Sequence, residues 1–245
     1  MNATDSTDPT PAPSTSSPRT LVAWAVHVFT ASGAVWGLLA LFEIMQGRFG
    51  LAVIFMLIAL AIDSIDGSLA RRVAVQQYAP GIDGRRMDDI VDYLNFVIVP
   101  CVFMAAAGSV LSPYWVALPA LASAFGFSQK EAKTEDDFFL GWPSYWNVLA
   151  FYLWLLELTP WAGTLWVIGL SVAVFIPYKY IYPSRLKNRS LRNFIGITGI
   201  LWAIFIGWAA LNRETASSYF LTEASLLFPA LYMGLSFKLG GLHRG

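Results

Sequence analysis

Charge is scarce in this chain. Asp, Glu, Lys and Arg make up 13% of its 245 residues, about half the share in an ordinary soluble domain. The 16 basic and 16 acidic residues cancel, so there is no net positive field to attract nucleic acid. Cysteine is limited to Cys101, which excludes an internal disulfide and a secreted disulfide scaffold. Two histidines, His27 and His243, are too few for a histidine-based metal centre. His27 falls in an apolar run and is expected to be a packed core residue. What the chain has instead is apolar surface: 56% of residues are hydrophobic and 15% aromatic, with ten Trp and ten Tyr. A soluble fold of this size cannot hide so much, and a disordered chain would not carry it. Apolar runs of about 18 residues or more recur, the signature of a bilayer.

Residues 1–20, MNATDSTDPTPAPSTSSPRT, are rich in Ser, Thr and Pro and lack periodicity, so they read as a disordered tail. They are not a signal peptide, because no basic segment precedes an apolar one. From Leu21 onward, residues 21–245 read as a single transmembrane catalytic domain, all-α. About eight spans are expected near 21–44, 49–70, 87–107, 113–128, 144–159, 162–178, 192–211 and 218–237. With both ends inside, fourteen basic residues fall in inner segments: Arg19, Arg71, Arg72, Arg85, Arg86, Lys130, Lys133, Lys179, Arg185, Lys187, Arg189, Arg192, Lys238 and Arg244. Only Arg48 and Arg213 fall outside. The split supports N-in, C-in by the positive-inside rule. Trp24, Trp115, Trp142 and Trp161, near span ends, read as interfacial anchors.

The acids are distributed unevenly. Six of the 16 lie between positions 63 and 92. Asp63 lies about 21 Å along the second span at 1.5 Å per residue, deep in the inner half of a bilayer. Asp66 is three residues on and shares its helix face, as Asp92 does with Asp88 four residues earlier. Four carboxylates in low dielectric repel one another and would take up protons unless compensated. Two divalent cations would neutralise them. With oxygen ligands alone, Mg2+ or Mn2+ fits better than Zn2+. A proton or ion pathway in a carrier would also use such acids. The neighbours favour a nucleotide diphosphate: Gly67, Ala70 and Gly84 leave room for a flat ligand, and Arg71 offers a forked donor to phosphate. Asp83 and Asp89 fall off this spacing and read as solvated neighbours, and Arg72, Arg85 and Arg86 as topology or headgroup contacts.

The pattern Asp63-x2-Asp66-Gly67-x2-Ala70-Arg71, twelve residues, then Gly84-x3-Asp88-x3-Asp92 resembles the signature of the CDP-alcohol phosphotransferases, membrane enzymes that make phospholipids at a binuclear metal site. Most of that family has a shorter spacer. The longer one here, with FFLGWPSYWN at 138–147 and PYKYIYPSR at 177–185, resembles the bacterial phosphatidylcholine synthases within it. The resemblance implies a helical bundle, a homodimer, and CDP-diacylglycerol and choline as substrates, with release of CMP. It implies that Asp63, Asp66, Asp88 and Asp92 hold two metal ions and that Asp92 is also the general base. It assigns Asp63, Gly67, Ala70, Arg71, Gly84 and Asp88 to the CDP group. Lys179 or Arg185 would hold the lipid phosphate. A quaternary ammonium offers no N–H donor and is held by aromatic faces, often beside a carboxylate, so Tyr145, Trp146, Tyr182, Glu131 and Asn95 are candidates for choline. Serine, glycerol phosphate and inositol phosphate are alternative alcohols. The implied setting is the bacterial inner membrane, with the active site near the cytoplasmic face.

Overall fold

The computed structural model describes residues 18–129, 134, 136 and 138–242. Most of the expected tail, with Lys130, Glu131, Lys133, His243 and Arg244, lies outside the described residues. The last three residues of that expected tail are helical instead, because α1 (Pro18–Met45) begins at Pro18. Proline suits a first helical turn, where its missing N–H is not needed, and Thr20 is already buried.

Helix α2 (Phe49–Val73) returns alongside α1 and ends in a left-handed residue, Ala74, whose amide closes onto the carbonyls of Ala70 and Arg71. The twelve-residue spacer then folds into a single turn, α3 (Val75–Tyr78). Val75 and Ala79 pack with Ala23 and Val26 of α1, and Arg19 donates to the Tyr78 hydroxyl at 2.7 Å. The long spacer is therefore a small brace against α1.

Helix α4 (Gly84–Tyr93) starts at Asp83, whose side chain accepts from the Arg86 amide at 3.1 Å. Asp83 is thus an N-cap. A π-helical turn, Leu94–Ile98, joins α4 to α5 (Val99–Ala106). Pro100 follows that turn. It has no N–H for the helical ladder, and a π-bulge is one way to absorb such a break.

A 3-10 turn, Pro113–Val116, leads into α6 (Ala117–Ser128). The helices α7 (Trp146–Leu155), α8 (Pro160–Ala173), α9 (Arg189–Leu211), α10 (Arg213–Ser218), α11 (Leu221–Ser225) and α12 (Leu227–Leu239) complete the helical set. Four helical runs are long and apolar enough to cross a membrane: α1, α2, Gly84–Ala106 and α9. The other expected spans coincide with shorter or broken helices. α7 has ten residues and rises only about 15 Å, half of a bilayer core of about 30 Å.

The chain is mostly helical, but an all-helical reading leaves out a three-stranded antiparallel sheet. Its strands are β1 (Phe138–Leu140), β2 (Tyr178–Ile181) and β3 (Gly241–Leu242), in that order. Phe138 pairs with Ile181 and Leu140 with Lys179. Aromatic and β-branched residues suit a pleated, half-buried surface, and the pairing satisfies backbone groups that three short connectors would otherwise leave open. Lys179 also meets Asp136 at 2.8 Å and holds that carboxyl down at about 2.

The sheet is seated on α8 through Gly141. This residue has φ +80°, and a Cβ there would lie 2.2 Å from the Val174 carbonyl oxygen. Substitution would therefore be both conformationally strained and sterically blocked. We expect Gly141→Ala to destabilise the fold by about 1–3 kcal/mol, as other overpacked substitutions do. Gly196→Ala, where nothing lies within 4 Å, serves as the control. Thermal unfolding of the purified protein in detergent measures both, and equal melting temperatures would show that the seat is not tight.

Candidate active site

The four signature aspartates lie where α1, α2 and α4 meet. One oxygen from each of Asp63, Asp88 and Asp92 falls within 4.8 Å of the others, an arrangement that could hold a metal ion. Asp92 is hydrogen-bonded to Asp63 and within Coulombic reach of Asp88 and Asp66. Asp66 joins the group through a hydrogen bond to Asp88. It is 5% exposed, whereas the other three are half-buried. Helix spacing accounts for this: pairs three or four residues apart on two neighbouring helices present all four acids to one gap.

Thr30 of α1 hydrogen-bonds Asp66, whose carboxylate also meets the Gly67 amide and the field of Arg71. The Arg71 guanidinium Nη1 lies 3.4 Å from where a Gly67 Cβ would sit, and its Nη2 is 3.2 Å from the Ser68 hydroxyl. Gly67, Ala70 and Arg71 thus stay on the end of α2 that carries Asp66, as their spacing suggests. Gly84 stands one turn before Asp88, and the group nearest it is the ring of His27, with Cε1 3.2 Å from a would-be Cβ.

A tyrosine cluster lies within Coulombic reach of Asp63. Tyr145, which caps α7, is within Coulombic reach of Asp63 and of Tyr182. Its hydroxyl lies 3.5 Å from that of Tyr232 in α12, and the two rings meet edge to face at 5.6 Å. Tyr232 donates to the Ile181 carbonyl at 3.0 Å, and the Ile181 amide donates to Ser236 at 3.3 Å. Tyr182 stacks on Phe139 at 4.4 Å, with the Arg185 guanidinium 5.4 Å from its ring centroid.

The remaining candidates separate. Trp146 is fully buried and donates from its indole N–H to Ser123 at 2.7 Å. It also packs on Trp142, so it belongs to the core and not to an open aromatic box. Asn95 is likewise buried and donates to the Gly33 carbonyl at 3.0 Å. Gly37 gives it room, since a Cβ there would lie 2.3 Å from Asn95 Oδ1. Asn95 is a joint between α1 and the π-turn. Trp142, expected at an interface, is instead buried in the core. Lys179 is paired with Asp136, while Arg185 is exposed. Glu131 lies outside the described residues.

Three residues next to the acids and the tyrosines escaped the sequence reading. Thr30 carries no signal, because threonine is common in apolar helices. Tyr232 and Ser236 do carry one: a polar pair four apart on an otherwise apolar helix implies a shared partner on one face, here Ile181.

The chain is similar to known proteins. The model of the family described as CDP-alcohol phosphatidyltransferase matches residues 22–177. The chain is 39% identical over 223 residues to the phosphatidylcholine synthase of Legionella pneumophila, covering 88% of this chain and 87% of that one. It is 37% identical over 190 residues to the protein of that name from Borreliella burgdorferi, covering 76% and 80% of the two chains. For that of Pseudomonas aeruginosa the identity is 32% over 197 residues, with 76% and 78% covered. The matched region spans every signature position and the helices that gather them, and the protein belongs to the CDP-alcohol phosphatidyltransferase family.

Proposed function

We propose that this chain is a phosphatidylcholine synthase, transferring the phosphatidyl group of CDP-diacylglycerol to choline with release of CMP. The observation that carries this reading is the meeting of Asp63 with two different chemistries. Asp63 joins Asp88 and Asp92. It is also within Coulombic reach of Tyr145, which lies within the same reach of Tyr182 and whose hydroxyl is 3.5 Å from that of Tyr232. Aromatic faces beside a carboxylate suit a quaternary ammonium, and carboxylate oxygens gathered within 4.8 Å of one another suit a divalent metal. The curated relatives named phosphatidylcholine synthase support the same alcohol.

The donor set fits hard cations. Its oxygens are close enough to share an ion, and Arg71 is the one cation among the interactions resolved for Asp66 and Asp92. Asp63, Asp66, Asp88 and Asp92 would hold two Mg2+ or Mn2+ ions, whose chemistry is to neutralise the pyrophosphate and the charge that develops on departing CMP. Arg71 supports the phosphates with a forked donor. Gly67 and Ala70 keep the end of α2 low for the cytidine. Choline is held by Tyr145 and Tyr182, with Tyr232 fixing the Tyr145 ring. Asp92 accepts the choline hydroxyl proton as that oxygen bonds to the lipid-linked phosphorus. The bond from this phosphorus to the bridging oxygen breaks, and its electron pair leaves with CMP. Lys179, whose charge is met by Asp136, and Arg185, which lies over the Tyr182 ring, are the two candidates for the lipid phosphate.

We infer eight crossings with both ends inside the bacterial cytoplasmic membrane, the site near its inner face. The sheet supports this. Hydrogen-bonded strands must share one side of a membrane, and β1, β2 and β3 all belong to segments that this topology puts inside. A single catalytic domain from residue 21 onward and a homodimer complete the reading.

Purified protein supplied with CDP-diacylglycerol, Mn2+ and choline should form phosphatidylcholine and CMP in equal amounts, and excess chelator should abolish both. Consumption of serine with choline untouched would overturn the choice of alcohol. Asp92→Asn should lower kcat by about 10²–10⁴, the usual worth of a general base, and near-normal turnover would remove Asp92 from that role. Thr30→Val removes a hydroxyl that orients Asp66. It should raise the Mn2+ concentration for half-maximal activity about tenfold, as losses of such supporting hydrogen bonds do. An unchanged Mn2+ dependence would make Thr30 a packing residue only.

A further inference from the structure

We propose that His27 is a nucleotide-contacting residue of this site, seated against Gly84 and offering its Nε2 to the CDP group. The inference rests on the reading above for the presence of a nucleotide. His27 lies on the face of α1 that packs on α2 and α4, and it is 5% exposed. Its Nε2 is buried and has no hydrogen-bond partner among the described residues. A buried polar atom without a partner is costly, and an imidazole kept in an apolar helix with an open nitrogen points to a partner that arrives with the substrate.

The placement says which partner. Thr30 stands three residues after His27 on the same helix face and hydrogen-bonds Asp66, which in turn hydrogen-bonds Asp88. Asp88 is four residues after Gly84 on α4. The imidazole Cε1 lies 3.2 Å, and Nδ1 3.7 Å, from the position of a Gly84 Cβ. The ring therefore stands one turn from the acids, at the level of Gly84. Trp24 supports it edge-on, with the ring centroids 6.0 Å apart. The absent side chain of Gly84 is thus explained first by the imidazole and only through it by the nucleotide. Across the gap, Gly67 has nothing closer than the Arg71 guanidinium at 3.4 Å. A nucleoside phosphate bound at the acids and extending past Gly67 meets the His27 ring edge as its neighbour on α1. A neutral imidazole with Nε2 free can donate to, or accept from, the polar groups of a base or ribose.

The test uses the full chain in detergent with Mn2+, titrated with CMP by calorimetry, so that no acceptor alcohol enters the measurement. His27→Leu has a similar volume and a shorter reach than the imidazole, and it lacks the nitrogen. It should weaken CMP binding about fivefold, the effect of one hydrogen bond, and raise KM for CDP-diacylglycerol equally while leaving KM for choline unchanged. His27→Gln restores a polar atom at the reach of Nε2 and should bind CMP within about twofold of the parent. Unchanged CMP affinity in a folded His27→Leu protein overturns the assignment. So does an equal loss in the Leu and Gln variants, which would make the ring a spacer. If the parent protein itself fails to bind CMP, the enzymatic reading falls, not His27 alone.

Discussion

Four carboxylates held together in an apolar bundle are the constraint on which the rest of the structure depends. Each would be costly alone in low dielectric, and each makes the others costlier. The surrounding helices are arranged to keep them in place. α1 lies close against α2 and α4, and it supplies Thr30 to Asp66. Below the acids, Gly33 and Gly37 let Asn95 of the π-turn come up to the α1 backbone. These contacts fix where α4 sits, and so where Asp88 and Asp92 point. The same charge density that opposes folding is what a divalent cation would neutralise, and a cation held there could in turn take a phosphate.

The sheet solves a second problem. Short helices such as α7 cannot by themselves define a rigid wall across a bilayer, and the connectors between them carry open backbone groups. Pairing β1 with β2 and β3 ties three distant connectors into one cap. Tyr232 and Ser236 then clip that cap to α12 through both backbone groups of Ile181. The cap carries Tyr182 on one strand end and, through Gly141, is anchored beside the start of α7 where Tyr145 stands. An aromatic site beside Asp63 follows from this tying together.

The eight-residue signature was legible because charged residues are so rare in such a chain that their spacing stands out, and helix periodicity turns the spacing directly into a shared face. Four of the expected spans, α1, α2, Gly84–Ala106 and α9, were legible as long apolar runs, whereas the other four coincide with shorter or broken helices. Other features depended on partners that no local pattern names. Trp146 and Tyr145 are adjacent in sequence and equally aromatic, yet one donates to Ser123 in the core and the other turns to Asp63. Asn95 lies almost a turn beyond Asp92, as a further site residue might, but a π-turn carries it to α1. His27 looked like a core histidine, and it is buried, but only the neighbouring helix reveals that Gly84 makes room for it and that its Nε2 is left open.

The sequence by itself determined the medium, the helical class, the four acids and the chemistry they resemble, because hydropathy and helical spacing are properties of a single segment. Tertiary structure decided which acids lie closest, which tyrosines reach them, and what α1 contributes through Thr30 and His27. It also made the long spacer a brace on α1 and the connectors a sheet. Those outcomes depend on distances between segments far apart in the chain, which are set by packing between helices and strands rather than by the pattern along any one of them.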